Sequence, residues 1–196
     1  YNLHLLGGDA RPMGTVGRDF DTYSAWIEKT GVNKAFIKTV PEAYTAQAFI
    51  TTDLDDNQIT AFHPGAMNHA HENRIGAALG ARLAIVAPDG KQGMLQHARE
   101  CAEHGIPFMF DPGQGLPMFS AEELAELVRL AEYVAVNDYE GKLLEEKTGR
   151  KLESLAREVK ALILTLGAQG SRIYAGEVQH EIPCAPADRV VDPTGC

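Results

Sequence analysis

Cysteine is scarce in this chain, and Cys101, Cys184 and Cys196 lie far apart. Three scattered thiols offer no CxxC pair and no disulfide framework, so a reducing cytoplasm is the expected setting. Basic residues are short as well: 18 Lys and Arg stand against 27 Asp and Glu, a formal net charge of −9. That balance excludes a broad nucleic-acid surface, which needs clustered positive charge. Local anion binding stays open, because backbone amides and helix ends need no net charge to achieve it. No apolar run approaches the roughly 20 residues of a membrane-spanning helix, so no membrane partner is expected. A full dinucleotide fingerprint is also missing. In "FDPGQGLPMF", Gly113 and Gly115 form a GxG just after Asp111, but Met118 stands where the third glycine belongs and Pro117 interrupts. A nicotinamide-dependent oxidoreductase is weakened accordingly.

What is present is the material of one sizeable core: 196 residues, 44% hydrophobic and 23% charged. The opening "YNLHLLGG" reads as the last turns of an amphipathic helix closed by Gly7 and Gly8. The closing "VVDPTGC" reads as a strand end and a sharp turn. Both ends are therefore expected to lie inside structural elements of an incomplete core.

Between them, "ARPMGTVG" predicts a short strand, and Asp19 is expected to cap the helix "DFDTYSAWIEKTG". "KAFIKTV", "AYTAQAFITTD" and "QITAFH" then predict a small antiparallel sheet inserted at residues 33–66. From Asn68 the rhythm is regular. A helix over Glu72–Leu79 is followed by alternating strands and helices up to "ALILTLG", with "SRIYA" and "EVQHEIP" as two further strands. Strands alternating with helices predict an α/β fold: a mainly parallel sheet covered on both faces, three layers α/β/α, with residues 1–32 and 67–196 as the core. Ligands then bind beyond the carboxyl ends of the strands, after Ala87, Phe110, Val136 and Leu166.

Two of those loops carry chemistry-bearing residues. In "LTLGAQGS", Gly167 and Gly170 after Thr165 either make a tight turn between strands or let the backbone close around a ligand. In "VNDYEGKLL", Asn137 and Glu140 stand at the spacing of a capping box. The same two side chains, at the carboxyl edge of the sheet, could organise a phosphate-bound Mg²⁺. His63, His69 and His71 are close in sequence, but with no cysteine nearby they read as a polar loop rather than a metal site.

Taken in order, "VNDYEGKLL", "LTLGAQGS" and "VVDPTGC" resemble the ribokinase-like (PfkB) carbohydrate kinase family. Asn137 and Glu140 match that family's Asn-x-x-Glu motif. Thr165, Leu166, Gly167 and Gly170 match its nucleotide loop. Asp192 to Cys196 match the first five positions of its second signature, with Pro193 and Cys196 as departures. Upstream, "GTVGRD" resembles the Gly-x-Asp stretch that follows the first signature. The inserted strands resemble the family's β-lid, and "TDLDDNQITAFHPGAMN" looks most like the adenosine and nucleoside kinase branch.

The resemblance implies ATP-dependent phosphorylation of a hydroxymethyl group on a nucleoside. The backbone amides of Gly195 and Cys196 would form the anion hole, with Asp192 and Thr194 fixing it around a monovalent cation such as K⁺. Thr165, Gly167 and Gly170, with Asn137, would border ATP, and Glu140 would serve Mg²⁺. Gln47 and Phe62 would reach the nucleoside from the lid or serve the lid's own structure. The family's catalytic Asp is expected two residues beyond Cys196, so the 196-residue chain alone is expected to be inactive. A sugar kinase of the ribokinase or fructokinase type is the alternative within this chemistry; a non-catalytic nucleoside- or nucleotide-binding module is the alternative outside it. The sequence does not give the oligomeric state; an exposed lid edge leaves a homodimer through the lid open.

Overall fold

The computed structural model describes residues 1–54 and 58–186. In chain order the first elements are α1 (Asn2–Leu5), β1 (Met13–Val16), α2 (Asp21–Thr30), β2 (Phe36–Thr39), β3 (Gln47–Thr52) and β4 (Gln58–His63). After two 3-10 segments come β5 (Ala84–Val86), α3 (Lys91–Glu103), β6 (Phe108–Phe110), α4 (Ala121–Leu130), β7 (Tyr133–Asn137) and α5 (Asp138–Thr148). The last are α6 (Leu152–Leu155), β8 (Ala161–Thr165), β9 (Ser171–Ala175) and β10 (Val178–Ile182).

The main sheet has six strands in the order β10-β9-β8-β7-β6-β5. Strands β5 to β8 run parallel, and β9 and β10 return antiparallel at the edge. This is the expected α/β fold with a mainly parallel sheet. Each parallel step moves to the next strand in the same direction, so right-handed crossovers put α3, α4 and α5 on one face. Val86, Phe108, Phe110, Val134, Val136, Leu162 and Leu164 alternate onto that face and are buried. The opposite face presents Ile85, exposed, and Met109, Ala135 and Ile163, half-buried.

Helix α4 illustrates how the core forms. Ser120 opens it with a full capping box: its side chain accepts from the Glu123 N–H at 3.2 Å, and the Glu123 carboxylate accepts from the Ser120 N–H at 2.7 Å. Leu124, Leu127 and Val128 then fall on one side of the helix and are completely buried. The cap fixes where the helix starts, and the apolar stripe fixes which side faces the sheet.

Three local expectations are corrected. "KAFIKTV" does not join the antiparallel strands: β2 pairs in parallel with β1, Gly14 opposite Ile37. Helix α2 lies between the two in sequence, which makes them the two strands of a β-α-β crossover. Of the three inserted segments, β3 and β4 alone pair antiparallel. The helix expected over Glu72–Leu79 is broken into 3-10 segments at Gly65–Glu72 and Ile75–Ala78. Asn73 interrupts it in extended backbone, with its side-chain amide donating to the Gly14 carbonyl at 2.9 Å and its own carbonyl accepting from Gln96 and His97. Asp19 does not cap α2; the N-cap is Phe20, with no side-chain bond.

Leu127→Ala empties a fully buried site between α4 and the sheet. We expect it to cost about 2–5 kcal/mol of stability, read as a lower midpoint in denaturant unfolding with an unchanged slope.

Candidate active site

Parallel register brings three strand ends together. Phe110 pairs with Val134, and Asn137 pairs with Thr165, so the loops after β6, β7 and β8 open side by side. Asp111 follows β6, Asn137 ends β7 and Thr165 ends β8. Gly113, Gln114, Pro117, Asn137, Tyr139 and Glu140 line a cleft of about 380 Å³ at this edge.

Asn137 is the N-cap of α5. Its side-chain oxygen accepts from the Glu140 N–H at 2.8 Å, while Glu140 Oε2 accepts from the Asn137 N–H at 2.9 Å. The capping box is thus present, and it also holds the Glu140 carboxylate at the mouth of the cleft beside the positive end of the α5 dipole. Neighbouring Asp111 is half-buried. Burial, and then the charge of Glu140, push its carboxyl above the usual aspartate range, and the Gly113 N–H opposes the rise in part. Asp111 and Glu140 both stand at this sheet edge, and a divalent cation that keeps its waters and binds phosphates needs only one or two carboxylates from the protein. Among the described residues, no group of three or more His, Cys, Asp and Glu forms a protein cage for a metal. Asp111 was absent from the residues assigned to the site by motif. The signal that points to it is its position immediately after a buried strand.

The glycine loop divides its roles. Gly167 has φ +57° and open space where a Cβ would stand, so the backbone there can approach a ligand. At Gly170 a Cβ would lie 2.0 Å from the Ile182 carbonyl oxygen and 2.7 Å from the Cys184 nitrogen. That glycine is required by the crossing of segment 182–184. The Leu166 N–H donates to the Gly170 carbonyl at 2.8 Å and closes the turn.

On the hairpin, Gln47 pairs with His63 and Phe62 with Ala48. Because side chains alternate, Gln47, Phe49, Ile59, Ala61 and His63 share one face, and Ala48, Ile50, Thr60 and Phe62 share the other. Gln47 and Phe62 therefore cannot meet one ligand lying on one face. Gln47 instead reaches Asp19 Oδ2 at 3.4 Å. His69 bonds Glu72 at 2.7 Å and stacks at 6.5 Å on His71. Lys38 and then His69 hold the Glu72 carboxyl down at about 2. Asp192, Thr194, Gly195 and Cys196 lie outside the described residues. A larger concavity of about 570 Å³ runs along α3. Its cations are already paired: Arg74 with Glu100, Lys91 with Glu123 and Arg99 with Glu126.

An α/β sheet with polar loops, a helix N-terminus and a carboxylate gathered at its carboxyl edge is the ligand-binding edge of an open α/β protein, and the ribokinase-like resemblance assigns it to a class. The match to the family model confirms it: residues 1–196 match the pfkB family carbohydrate kinase, and the chain belongs to that family. The structure of a nucleoside kinase from Burkholderia thailandensis in complex with inosine is 52% identical, with a TM-score of 0.94 over 99% of this chain and 64% of that one. The same enzyme in complex with ADP-inosine gives a TM-score of 0.92 over 99% and 61%. The nucleoside kinase of Methanocaldococcus jannaschii is 31% identical over 195 residues, 98% of this chain and 64% of that protein. The chain thus spans under two thirds of the length of these relatives.

Asp111 gives a pH-dependent prediction. Its folded-state pKa is raised, so its contribution to stability is lost as pH climbs from the usual aspartate value through the folded one. Asp111→Asn removes that loss, and its amide oxygen can still accept from Gly113. We expect a higher melting temperature than the parent at pH 7, with the gain disappearing toward low pH, as measured by thermal unfolding across pH.

Proposed function

We propose that the full-length protein transfers the γ-phosphoryl group of ATP to a hydroxymethyl group on a nucleoside. The observation that carries this reading is the 52% identity, at a TM-score of 0.94, to a kinase whose structures hold inosine and ADP-inosine. The assembled carboxyl edge supports it from this chain's own residues. Phosphoryl transfer asks a protein for positioning and charge stabilisation rather than covalent chemistry.

The open backbone at Gly167 lets the turn after β8 lie against the nucleotide, next to Thr165. Gly170 keeps that turn closed against segment 182–184. Asn137 fixes the start of α5 and, through the capping box, orients Glu140 toward the cleft. Glu140 and Asp111 are the residues that would hold Mg²⁺ and its water shell. When bound, Mg²⁺ neutralises charge on the transferring phosphate. The roles assigned to Gly195, Cys196, Asp192 and Thr194, including any K⁺, rest on the family resemblance. The hairpin is read as a substrate lid, and a nucleoside lying against Gln47's face would meet Phe49.

ADP release by the full-length protein, assayed with inosine, adenosine, ribose and fructose, tests the reading. We expect kcat/KM for a nucleoside to exceed that for either sugar by at least about tenfold. Preference for a sugar would replace the nucleoside, and binding without turnover of any of the four would favour a non-catalytic module. Glu140→Gln separates structure from chemistry, because glutamine still completes a capping box. It should leave the melting temperature near the parent's and lower activity about 10–100-fold, with a raised Mg²⁺ requirement.

A further inference from the structure

All the residues of β3 and β4 are exposed. A two-stranded hairpin with no third strand and no packed face is marginal in water. Its direction in space therefore depends on what grips its base.

The grip is tight. A Cβ at Gly17 would lie 2.2 Å from the Tyr44 carbonyl carbon, and one at Gly65 would lie 2.2 Å from the Tyr44 oxygen. The chain entering the hairpin is wedged between the turn after β1 and the segment leaving β4. The Ala66 N–H donates to the Tyr44 carbonyl at 2.8 Å, and the Arg18 N–H donates to Ala43 at 3.0 Å. The Gly17 N–H donates to Thr45 Oγ1 at 3.0 Å. The Arg18 guanidinium lies over the Tyr44 ring, 4.2 Å from its centroid.

Asp19 extends this grip to the strand. Its Oδ1 accepts from the Thr45 N–H and from the Thr45 hydroxyl, each at 2.8 Å, and its Oδ2 accepts from Gln47 Nε2 at 3.4 Å. Of these contacts, only the one with Gln47 reaches β3 itself. The carboxylate is exposed, so water can compete for its bonds. Such a tie holds a hairpin in place and still lets it move.

We propose that Asp19 is a positioning residue: through Thr45 and Gln47, its carboxylate sets the angle at which the hairpin stands over the nucleoside. This rests on the reading of the hairpin as a substrate lid. Asp19 itself stays at the hinge, and substrate contact falls to residues further along β3 and β4. Its loss weakens capture of the nucleoside more than the transfer step.

Full-length Asp19→Ala and Asp19→Asn test this. For Asp19→Ala we expect the nucleoside KM to rise about tenfold or more, with kcat and the KM for ATP changed by less than about threefold. Asp19→Asn should bring the nucleoside KM back to within about threefold of the parent, since an amide oxygen still accepts from the Thr45 N–H. In ligand-free Asp19→Ala, amide exchange at Gly17 and Ala66 should quicken at least about tenfold while β7 and β8 stay unchanged. A nucleoside KM within about twofold of the parent, or exchange that quickens equally through β7 and β8, overturns the proposal. If the parent turns over no nucleoside, the exchange experiment still decides. Faster exchange confined to the hinge retains Asp19 as the latch and rejects the lid's substrate, whereas unchanged exchange rejects the latch as well.

Discussion

The hydrogen-bonded register of β7 against β8 is the constraint on which the site depends. Asn137 opposite Thr165 sets the ends of two parallel strands level, and β6 joins them through Phe110 and Val134. The shared parallel direction opens the three loops on the same side, with β6 ending opposite Val134. A slip of one residue would turn every side chain of a strand to the other face. The buried alternation of Val134 and Val136 on β7, and of Leu162 and Leu164 on β8, resists such a slip, because slipping either strand would send its buried pair off the helix-covered face. The core thereby positions the edge residues without touching a ligand.

The capping box of α5 shows one local device with two consequences. Locally it satisfies two backbone N–H groups at the start of a helix. Globally it orients the Glu140 carboxylate at the edge of the cleft. Burial first, and the charge of Glu140 second, raise the pKa of Asp111. A carboxyl whose ionisation is disfavoured at a sheet edge marks a candidate functional site. The fully buried leucines of α4 and the close-packed Gly170 serve the fold.

Legibility followed the range of the interaction. The caps at Ser120 and Asn137 were readable because a cap is a four-residue event. The mainly parallel sheet was readable because helices recur between its strands. The partner of β2 was misassigned because helix α2 precedes it and not the strands that follow, so its place as the second half of a crossover was hidden behind a run of β-prone segments. Asp19 was read as a cap from its neighbours in sequence. In the structure its carboxylate is taken by Thr45 and Gln47, more than 20 residues away. Local hydrogen-bonding preference was overruled by donors that are distant in sequence. Gln47 and Phe62 each read as either a nucleobase contact or a structural residue of the lid, and the hairpin register puts them on opposite faces.

By itself, the order of residues determined the alternation of strands and helices after Ala84, the Asn137–Glu140 cap, the positions of the loops at the sheet edge and the family resemblance, all of which are written in short spacings. The tertiary structure alone decided that Asp111 is half-buried at the same sheet edge as Glu140, that Gly170 answers to a crossing backbone, and that Asp19 bonds to the base of the hairpin. The physical reason is that a spacing specifies what a segment can form. Which distant donor, charge or backbone it will meet is settled only when strands choose their neighbours and the core closes around that choice.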